Sequence, residues 1–264
     1  MPISVSMLWK MFLVCYNIFM QEITSKNNEL IKNICKLKEK KFRDSENKIL
    51  IEGYKVFLEA EKCGLFVDKV LTTKEFLLSK KLDKYKDKLI IVNDDVCKKL
   101  SFSVTSQNFF AVIEKPRVET KNTNFLILDN IQDPQNLGAI IRTSVATNIL
   151  DIYCLNCVDE YNDKVIRASM GNVFKVNIKH IKLEDLNEIC KKATIYSANM
   201  NGENLFKVQK PKCKFGLILG NEGNGVSGEV EKFANKIISI PMHNNVESLN
   251  VAVSMSIIAY YLTN

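Results

Sequence analysis

The sequence lacks the long hydrophobic run of a membrane protein. Its most apolar stretch, residues 7–20, is interrupted by Lys10 and Asn17 and is shorter than the roughly 20 apolar residues that a span needs. The stretch also has no basic start and no small-residue cleavage site, which argues against a signal peptide. We therefore expect no membrane association. Residues 1–20 are interpreted as a poorly ordered extension, with Met20 as the candidate natural start.

Disulfide spacing, internal repeats and low-complexity segments are lacking as well. The eight cysteines are spread through 264 residues without rhythm, which is typical of reduced thiols in the cytoplasm. Cys154 and Cys157 form a CxxC pair, but no second pair completes a zinc set. Packing at a strand end is therefore favoured over metal or redox chemistry. We expect a cytoplasmic protein that binds no metal.

The composition is that of an ordinary globular protein, with 46% hydrophobic and 25% charged residues. The length suits two modest domains or one large one. The net charge of +7 suggests nucleic acid as a partner without establishing it, because many soluble enzymes are mildly basic.

Residues 21–117 have the pattern of one small α/β domain. Apolar residues with helical spacing at 30–37 precede short apolar runs, which alternate with Lys-rich helical segments. Strands are predicted at 49–52, 67–71, 89–92 and 109–113. Residues 118–123 are interpreted as a linker.

A basic cluster follows the first predicted helix. It is either a solvated helix end or a seat for several phosphates, and in the second case binding would weaken steeply with salt. The cluster comprises Lys36, Lys38, Lys40, Lys41 and Arg43.

From residue 124 to 264 strands and helices alternate regularly, which predicts a parallel sheet covered on both faces. Strands are expected at 125–128, 152–155, 173–178, 194–197, 215–219 and from 237; helices are expected at 137–148, 164–170 and 183–192. The last helix is apolar on all sides, so it must be buried within the domain or in a dimer interface.

Two polar loops follow apolar strands near the C-terminus, and open α/β sheets hold ligands at such places. The first, residues 220–225, lacks the Lys-Ser/Thr of a P-loop and the GxGxxG spacing. Glu222 also disfavours a phosphate ligand. The loop is either a tight turn or a site for an uncharged or cationic ligand whose adenine and ribose meet backbone groups.

Residues 129–138 form a more specific segment, in which Asn136 lies near a predicted helix start. An Asn helix cap is common and needs no function. Arg142 lies six residues further on and could pair with a surface carboxylate.

Three blocks together resemble the signature motifs of the SpoU/TrmH family, the RNA ribose 2′-O-methyltransferases of the SPOUT superfamily. They are DNIQDPQNLGAIIRT (129–143), LILGNEGNGVS (217–227) and ISIPM…VESLNVAVS (238–254), and residues 167–171 also match. The resemblance covers about 120–264 strongly. More weakly, residues 26–117 resemble the ribosomal-protein-like RNA-binding domain found in many members.

The resemblance implies a small N-terminal α/β domain and a parallel-sheet domain with a deep trefoil knot, which is a rare exception among folds. It implies an S-adenosylmethionine cofactor and a homodimer packed through the last helix. The residues matching the cofactor contacts are Gly220, Ile240, Met242 and Leu249. Those matching the catalytic and substrate-positioning residues are Asn136, Arg142, Glu222, Ser248 and Asn250.

The chemistry requires that a ribose hydroxyl lose or share its proton while aligned with the sulfonium methyl. Arg142 is the family's candidate for activating the hydroxyl, but a guanidinium is not normally deprotonated, so its role stays open between base and orienter. Glu222 would partner Arg142 or the ribose. Ser248 and Asn250 have the alternative of stabilising a helix N-terminus by local hydrogen bonds.

One position departs from the family pattern. Asn244 stands where the third motif usually has Gly, although Asn tolerates positive φ better than other residues. The expected function is methylation of structured RNA, with 23S-type rRNA favoured over tRNA by analogy. A non-catalytic RNA-binding or ribosome-assembly factor on the same fold is the alternative.

Overall fold

The computed structural model describes residues 20–80, 82–117, 119, 124–244 and 246–264. Residues 1–19 of the expected extension, and residues 118 and 120–123 of the expected linker, lie outside this range. The chain forms two compact units, Met1–Pro116 and Arg117–Asn264.

The N-terminal unit is an α/β sandwich, as expected. Its five-stranded sheet has the order β1-β4-β3-β5-β2, with β1, β4 and β3 parallel and β5 antiparallel to both β3 and β2. In chain order the elements are β1 Gln21–Ile23, α1 Glu29–Lys36, α2 Lys40–Glu46, β2 Lys48–Glu52, α3 Tyr54–Lys62, β3 Val67–Thr72, α4 Lys74–Ser79, β4 Leu89–Val92, α5 Asp94–Leu100 and β5 Phe109–Glu114.

Local chemistry explains how the elements of this unit begin and join. Asn28 caps α1, since its side chain accepts a hydrogen bond from the backbone N–H of Leu30 at 2.9 Å. Glu52 at the end of β2 is buried, and its carboxylate accepts from Ser101 Oγ and from the backbone N–H of Phe102 and of Gln107. A buried carboxylate needs such donors, so Glu52 fixes the loop before β5.

The C-terminal unit contains a six-stranded sheet in which every pairing is parallel, in the order β11-β9-β10-β6-β7-β8. The expectation of a parallel sheet is confirmed. In chain order the elements are β6 Phe125–Asp129, α6 Pro134–Ala146, β7 Asp151–Leu155, α7 Asp163–Ala168, β8 Asn177–His180, α8 Leu186–Ile189, β9 Thr194–Asn204, β10 Phe215–Leu219, α9 Gly228–Glu231, β11 Lys236–Ser239 and α10 Val251–Thr263.

Two sequence predictions need correction here. Helix α6 begins at Pro134, three residues before the predicted start, because Asp133 caps it and accepts from Gln135 N–H. Asn136 is therefore inside the first turn and is not a cap. The strand predicted at 173–178 is also wrong in its first half: Asn172–Lys175 is a 3₁₀ helix, and β8 begins only at Asn177.

Helix α10 divides into a buried and an exposed side. Val251, Met255 and Ile258 are buried, whereas Val253 and Tyr260 are 48% and 51% exposed. The sequence predicted that both sides of this helix are buried, in the domain or in a dimer interface. Within this unit one side is buried and the other is exposed. Among the described helices, none has both the length and the hydropathy needed to cross a lipid bilayer.

Candidate active site

A cavity of about 360 Å³ lies beyond the carboxyl ends of β10 and β11. Its walls come from the middle of β9, the loop after β10, the loop between β11 and α10, and α10 itself. All four residues expected to contact a cofactor line it, and so do two of those expected in catalysis: Gly220, Ile240, Met242, Leu249, Glu222 and Ser248. The two loops thus line one cavity.

The loop after β10 is closed by a pair of backbone hydrogen bonds. Asn221 N–H donates to the Gly225 carbonyl, and Gly225 N–H donates to the Asn221 carbonyl, both at 2.9 Å. A Cβ added at Gly220 would come within 2.1 Å of the Gly225 backbone, so no side chain fits there. Gly225 itself has a positive φ of 68°. The glycines are required by this closure.

Asn136 joins two loops at this site. Its Nδ2 donates to Glu222 Oε1 at 2.6 Å, and its Oδ1 accepts from Asn250 Nδ2 at 2.8 Å. Asn136 is buried, and these bonds fix which way its amide faces. Residues from all three sequence motifs therefore meet in one hydrogen-bonded chain.

Asn250 stabilises a helix N-terminus, which is one of the two roles considered from its sequence. Its Oδ1 accepts from the backbone N–H of Ala252 at 2.9 Å and of Val253 at 3.3 Å, which makes it the N-cap of α10. Its Nδ2 meanwhile reaches Asn136. Ser248 is exposed at the cavity wall and makes no hydrogen bond with the described part of the chain.

Arg142 lies on α6, six residues after Asn136 and therefore about 9 Å further along the helix axis. Its side chain is exposed, and within the described residues it forms no hydrogen bond or ion pair. The partnership with Glu222 that was considered from sequence does not form among the described residues; the Glu222 carboxylate accepts from Asn136 Nδ2. The neighbouring Thr143 Oγ1 lies 3.0 Å from Ser256 Oγ of α10.

The cavity has a clear charge preference. Among the described residues that line it, Glu222 and Glu247 carry negative charge and no lysine or arginine is present. Such a lining suits a cationic or neutral ligand and opposes a phosphate. Asn244, in the loop between β11 and α10, has a φ of 57°. It thus takes the positive φ that a glycine would supply, as its sequence position suggested.

Two parts of the chain match known domain families. Residues 123–260 match the SpoU rRNA Methylase family, and residues 28–111 match the MRM3-like substrate binding domain. The chain belongs to the SpoU rRNA methylase family. The resemblance carried by the three motifs is thereby confirmed, and with it the enzyme class.

This SpoU chain is similar over most of its length to a curated relative and to solved structures. It is 30% identical over 249 residues to the 23S rRNA (guanosine(2553)-2′-O)-methyltransferase of Bacillus subtilis, covering 92% of this chain and 99% of that protein. A solved RNA 2′-O ribose methyltransferase is 26% identical with a TM-score of 0.76, covering 92% of this chain and 98% of the other. An AdoMet-bound rRNA methyltransferase from Sinorhizobium meliloti is 23% identical with a TM-score of 0.80, covering 92% and 97%, and supports the fold. The predicted fold class is confirmed.

A clamp that the sequence motifs did not reveal holds the loop after β10 of this SpoU domain, residues 220–227, which we call the cofactor loop. Asp129 is buried at the end of β6, and its Oδ2 accepts from Ser227 N–H at 2.8 Å. Next to it, the Asn130 carbonyl accepts from Asn221 Nδ2 at 3.0 Å, and Asn130 has a φ of 59°. Both ends of the loop are thus tied to one turn. The available signal was the Asp-Asn pair directly after a buried strand.

The contribution of β9 to the SpoU cavity was missed as well. Asn199 and Met200 line the cavity from the second half of this strand, which runs seven residues beyond the predicted end at Ser197. Ser197 Oγ and Asn199 Nδ2 both donate to Glu231 Oε1, at 3.2 and 2.9 Å. This second half is polar, so no apolar pattern marked it as a strand.

The basic cluster of the N-terminal unit divides into surface and structural cations. Arg43 is only 5% exposed, and its Nη1 donates to the Leu37 and Lys38 carbonyls at 3.0 and 2.7 Å. Lys38 Nζ donates to the Lys99 and Ser101 carbonyls. The expectation that Arg43 contacts RNA is therefore wrong, because its side chain is buried. Lys38 is less available to RNA than expected, because its Nζ is already bonded to two carbonyls. Lys36, Lys40 and Lys41 are exposed.

The CxxC pair packs at the end of β7. Cys154 is buried, and Cys157 Sγ donates to the Leu128 and Leu155 carbonyls at 3.3 and 3.4 Å. A hydrogen bond from Cys154 lowers the pKa of the Cys157 thiol, whereas the same pairing and burial raise the pKa of Cys154. Within the described residues no group of three or more His, Cys, Asp or Glu side chains could hold a metal ion.

Proposed function

We propose that this SpoU methyltransferase transfers the methyl group of S-adenosylmethionine to a ribose 2′-OH in ribosomal RNA, most specifically RNA of the 23S type. The observation that carries the proposal is the Asn136 bridge, which joins Glu222 and Asn250 beside a cavity lined by the cofactor-matching residues. The Bacillus subtilis relative, which acts on 23S rRNA by name, supports the substrate.

The residues of the cavity fit S-adenosylmethionine. A volume of about 360 Å³ falls in the range of small-ligand sites, and apolar walls from Leu219, Ile238 and Ile258 suit an adenine ring. Gly220 lines the cavity without a side chain, so it can meet the nucleoside only through its backbone. Glu222 and Glu247 complement a positive charge. When bound, the cofactor supplies a methyl group on a cationic sulfur.

The protein's own groups have separate tasks in this proposal. Asn136 uses its amide to hold Glu222 and Asn250 in place, so it is a positioning residue. The Glu222 carboxylate can accept further hydrogen bonds and is placed to receive one from the ribose hydroxyl. Arg142 is exposed and a guanidinium is not normally deprotonated, so we assign it to orienting a phosphate or hydroxyl of the RNA rather than to removing a proton.

Homodimer formation and a cytoplasmic location belong to the same proposal. The exposed side of α10, with Val253 and Tyr260, is apolar and supports packing against a second copy. Free cysteines throughout the described units, for instance Cys35, Cys97 and Cys213, are consistent with a reducing compartment. On the RNA side, the exposed Lys36, Lys40 and Lys41 of the N-terminal unit are proposed to contact phosphates.

The first experiment is calorimetric titration with S-adenosylmethionine, comparing wild type with Leu249→Arg. Leu249 lines the cavity, and an arginine there would place a cation against the sulfonium, so we expect affinity to fall by about 100-fold or more. Val246→Arg is the matched control, since Val246 is exposed in the same loop and does not line the cavity. An equal loss in both variants would contradict the assigned pocket.

The substrate is tested by incubating the protein and S-adenosylmethionine with transcripts of 23S rRNA, 16S rRNA and tRNA. Digestion to nucleosides followed by mass spectrometry would then identify a 2′-O-methylated nucleoside. We expect the wild-type protein to produce this nucleoside in the 23S transcript, and we expect the Arg142→Ala variant not to produce it. Methylation of tRNA alone would overturn the rRNA assignment, and cofactor binding without methylation of any RNA would favour a non-catalytic RNA-binding factor.

A further inference from the structure

The segment after β9 is unusually basic. Residues 205–214 read LFKVQKPKCK, with four lysines and no acidic residue. The segment opens with a 3₁₀ turn, Leu205–Lys207, whose cap Asn204 accepts from Phe206 N–H at 2.9 Å. This cap stabilises the turn that carries Phe206 and Lys207.

Phe206 is held in place although it faces solvent. Its side chain is 57% exposed, and its ring meets the Tyr261 ring edge to face with centroids 5.7 Å apart. Tyr261 is itself fixed, because its hydroxyl donates to the Val208 carbonyl at 3.0 Å. An aromatic ring that is both exposed and pre-oriented costs little conformational entropy when something stacks on it.

Three exposed lysines belong to the same segment as this ring. Lys207, Lys210 and Lys212 are exposed, and none forms an ion pair with any described residue. Lys210 Nζ lies 5.2 Å from the centroid of the Tyr261 ring. The positive charge of the patch is therefore not neutralised by the described part of the protein. We call Phe206, Lys207, Lys210, Lys212 and Tyr261 the aromatic-basic patch.

We propose that the aromatic-basic patch binds a single-stranded segment of the RNA substrate, with a base stacked on Phe206 and phosphates near the lysines. The inference rests on the proposed function only in taking RNA as the substrate. Single-stranded RNA offers the two features that the patch complements, a flat π face and a line of negative charges. A symmetric contact between two copies of the patch would bring like charges together, which disfavours a second protein copy as the occupant.

The stacking contact is tested in the full-length protein with two probes, a 23S rRNA transcript and polyuridylate. Phe206→Ala is expected to weaken binding of both by about 5- to 150-fold, the loss typical of one stacked base. Phe206→Tyr keeps the ring and should bind as the wild type does, whereas Phe206→Leu keeps an apolar side chain and should behave like alanine.

The phosphate contacts are tested through salt dependence. Lys207→Ala combined with Lys210→Ala should reduce the slope of log affinity against log salt by about 1.4, since each single-strand phosphate contact contributes about 0.7. Lys192→Ala combined with Lys232→Ala removes the same charge from exposed lysines elsewhere in the unit and should leave the slope nearly unchanged. Phe206→Ala should lower affinity at every salt concentration without changing the slope.

Unchanged RNA affinity in Phe206→Ala would overturn the proposal. If the sedimentation coefficient of that variant were altered as well, the patch would be a protein interface. Calorimetric titration with S-adenosylmethionine on the same variants should give wild-type affinity and so confirm an intact fold. RNA binding is read without methyl transfer. A failure of the proposed activity would therefore leave this result interpretable.

Discussion

Arg43 shows how burial changes the role of a cation within a basic cluster. Its guanidinium donates to the carbonyls of Leu37 and Lys38 inside the N-terminal unit. We expect Arg43→Ala to lower the free energy of unfolding by about 2–4 kcal/mol, because hydrogen bonds from a buried charged group are lost and the carbonyls remain. Urea unfolding of the full chain measures this.

The matched control is Lys40→Ala, three positions away and exposed. It should change the free energy of unfolding by less than about 0.5 kcal/mol, as surface substitutions usually do. The two variants should rank the other way in RNA binding: Lys40→Ala should lower the salt dependence of RNA affinity more than Arg43→Ala does. Equal stability of both variants would contradict the structural role of Arg43.

Cys157 and Cys190 should differ in the pH at which they are alkylated. The Cys154 hydrogen bond lowers the pKa of Cys157, whereas burial raises the pKa of Cys190 to about 11. Since the thiolate is the reactive form, iodoacetamide should label Cys157 at lower pH than Cys190, as read by peptide mass spectrometry. Cys154→Ala should move the Cys157 labelling to higher pH, and Cys154→Ser, which keeps a donor, should move it less.

At the scale of elements, apolar sequence patterns located most strands. The prediction failed where apolar residues are buried outside a strand and where the residues of a strand are polar. The runs at β4 and β6 were predictable because every residue in them is buried. The apolar run at 173–178 was wrongly predicted to be a strand throughout, because the buried Val173 and Phe174 belong to a 3₁₀ helix. The second half of β9 could not be predicted, since its backbone pairs with β11 while its side chains are polar.

The candidate site residues could be named one by one from their motifs, but their contacts could not be predicted. The sequence indicated Asn136, Glu222 and Asn250, and the motif resemblance grouped them. It could not show that Asn136 lies between the other two, because that depends on how α6 packs against α10. Nor could it show the clamp at Asp129, whose partner Ser227 lies 98 positions away in the chain.

The clamp at Asp129 links β6 to the cofactor loop and gives a prediction for that element. Asp129→Ala removes the acceptor for Ser227 N–H, so the loop should loosen and the Kd for S-adenosylmethionine should rise by about tenfold or more. At saturating cofactor the kcat should largely recover. Asp129→Asn keeps an oxygen acceptor, so its affinity for S-adenosylmethionine should fall less. A lower kcat without a change in Kd would contradict the clamp.

On the scale of the whole molecule, the exposed side of α10 predicts self-association. We expect Val253→Asp to shift the protein from dimer to monomer in analytical ultracentrifugation, because a carboxylate would be buried in the proposed interface. Val104→Asp makes the same change at a fully exposed site of the N-terminal unit and should leave the mass unchanged. A wild-type monomer would rule out the dimer.

The bridge at Asn136 also bears on when the enzyme becomes active during its own synthesis. Its two partners lie 86 and 114 positions later in the chain, and the second caps the final helix. A nascent chain that has not yet emerged past Asn250 lacks the bridge, however well its sheet has folded. We therefore expect a translation product that ends before Asn250 to lack methyltransferase activity, so the protein can modify the RNA of the machinery that makes it only late in its own synthesis.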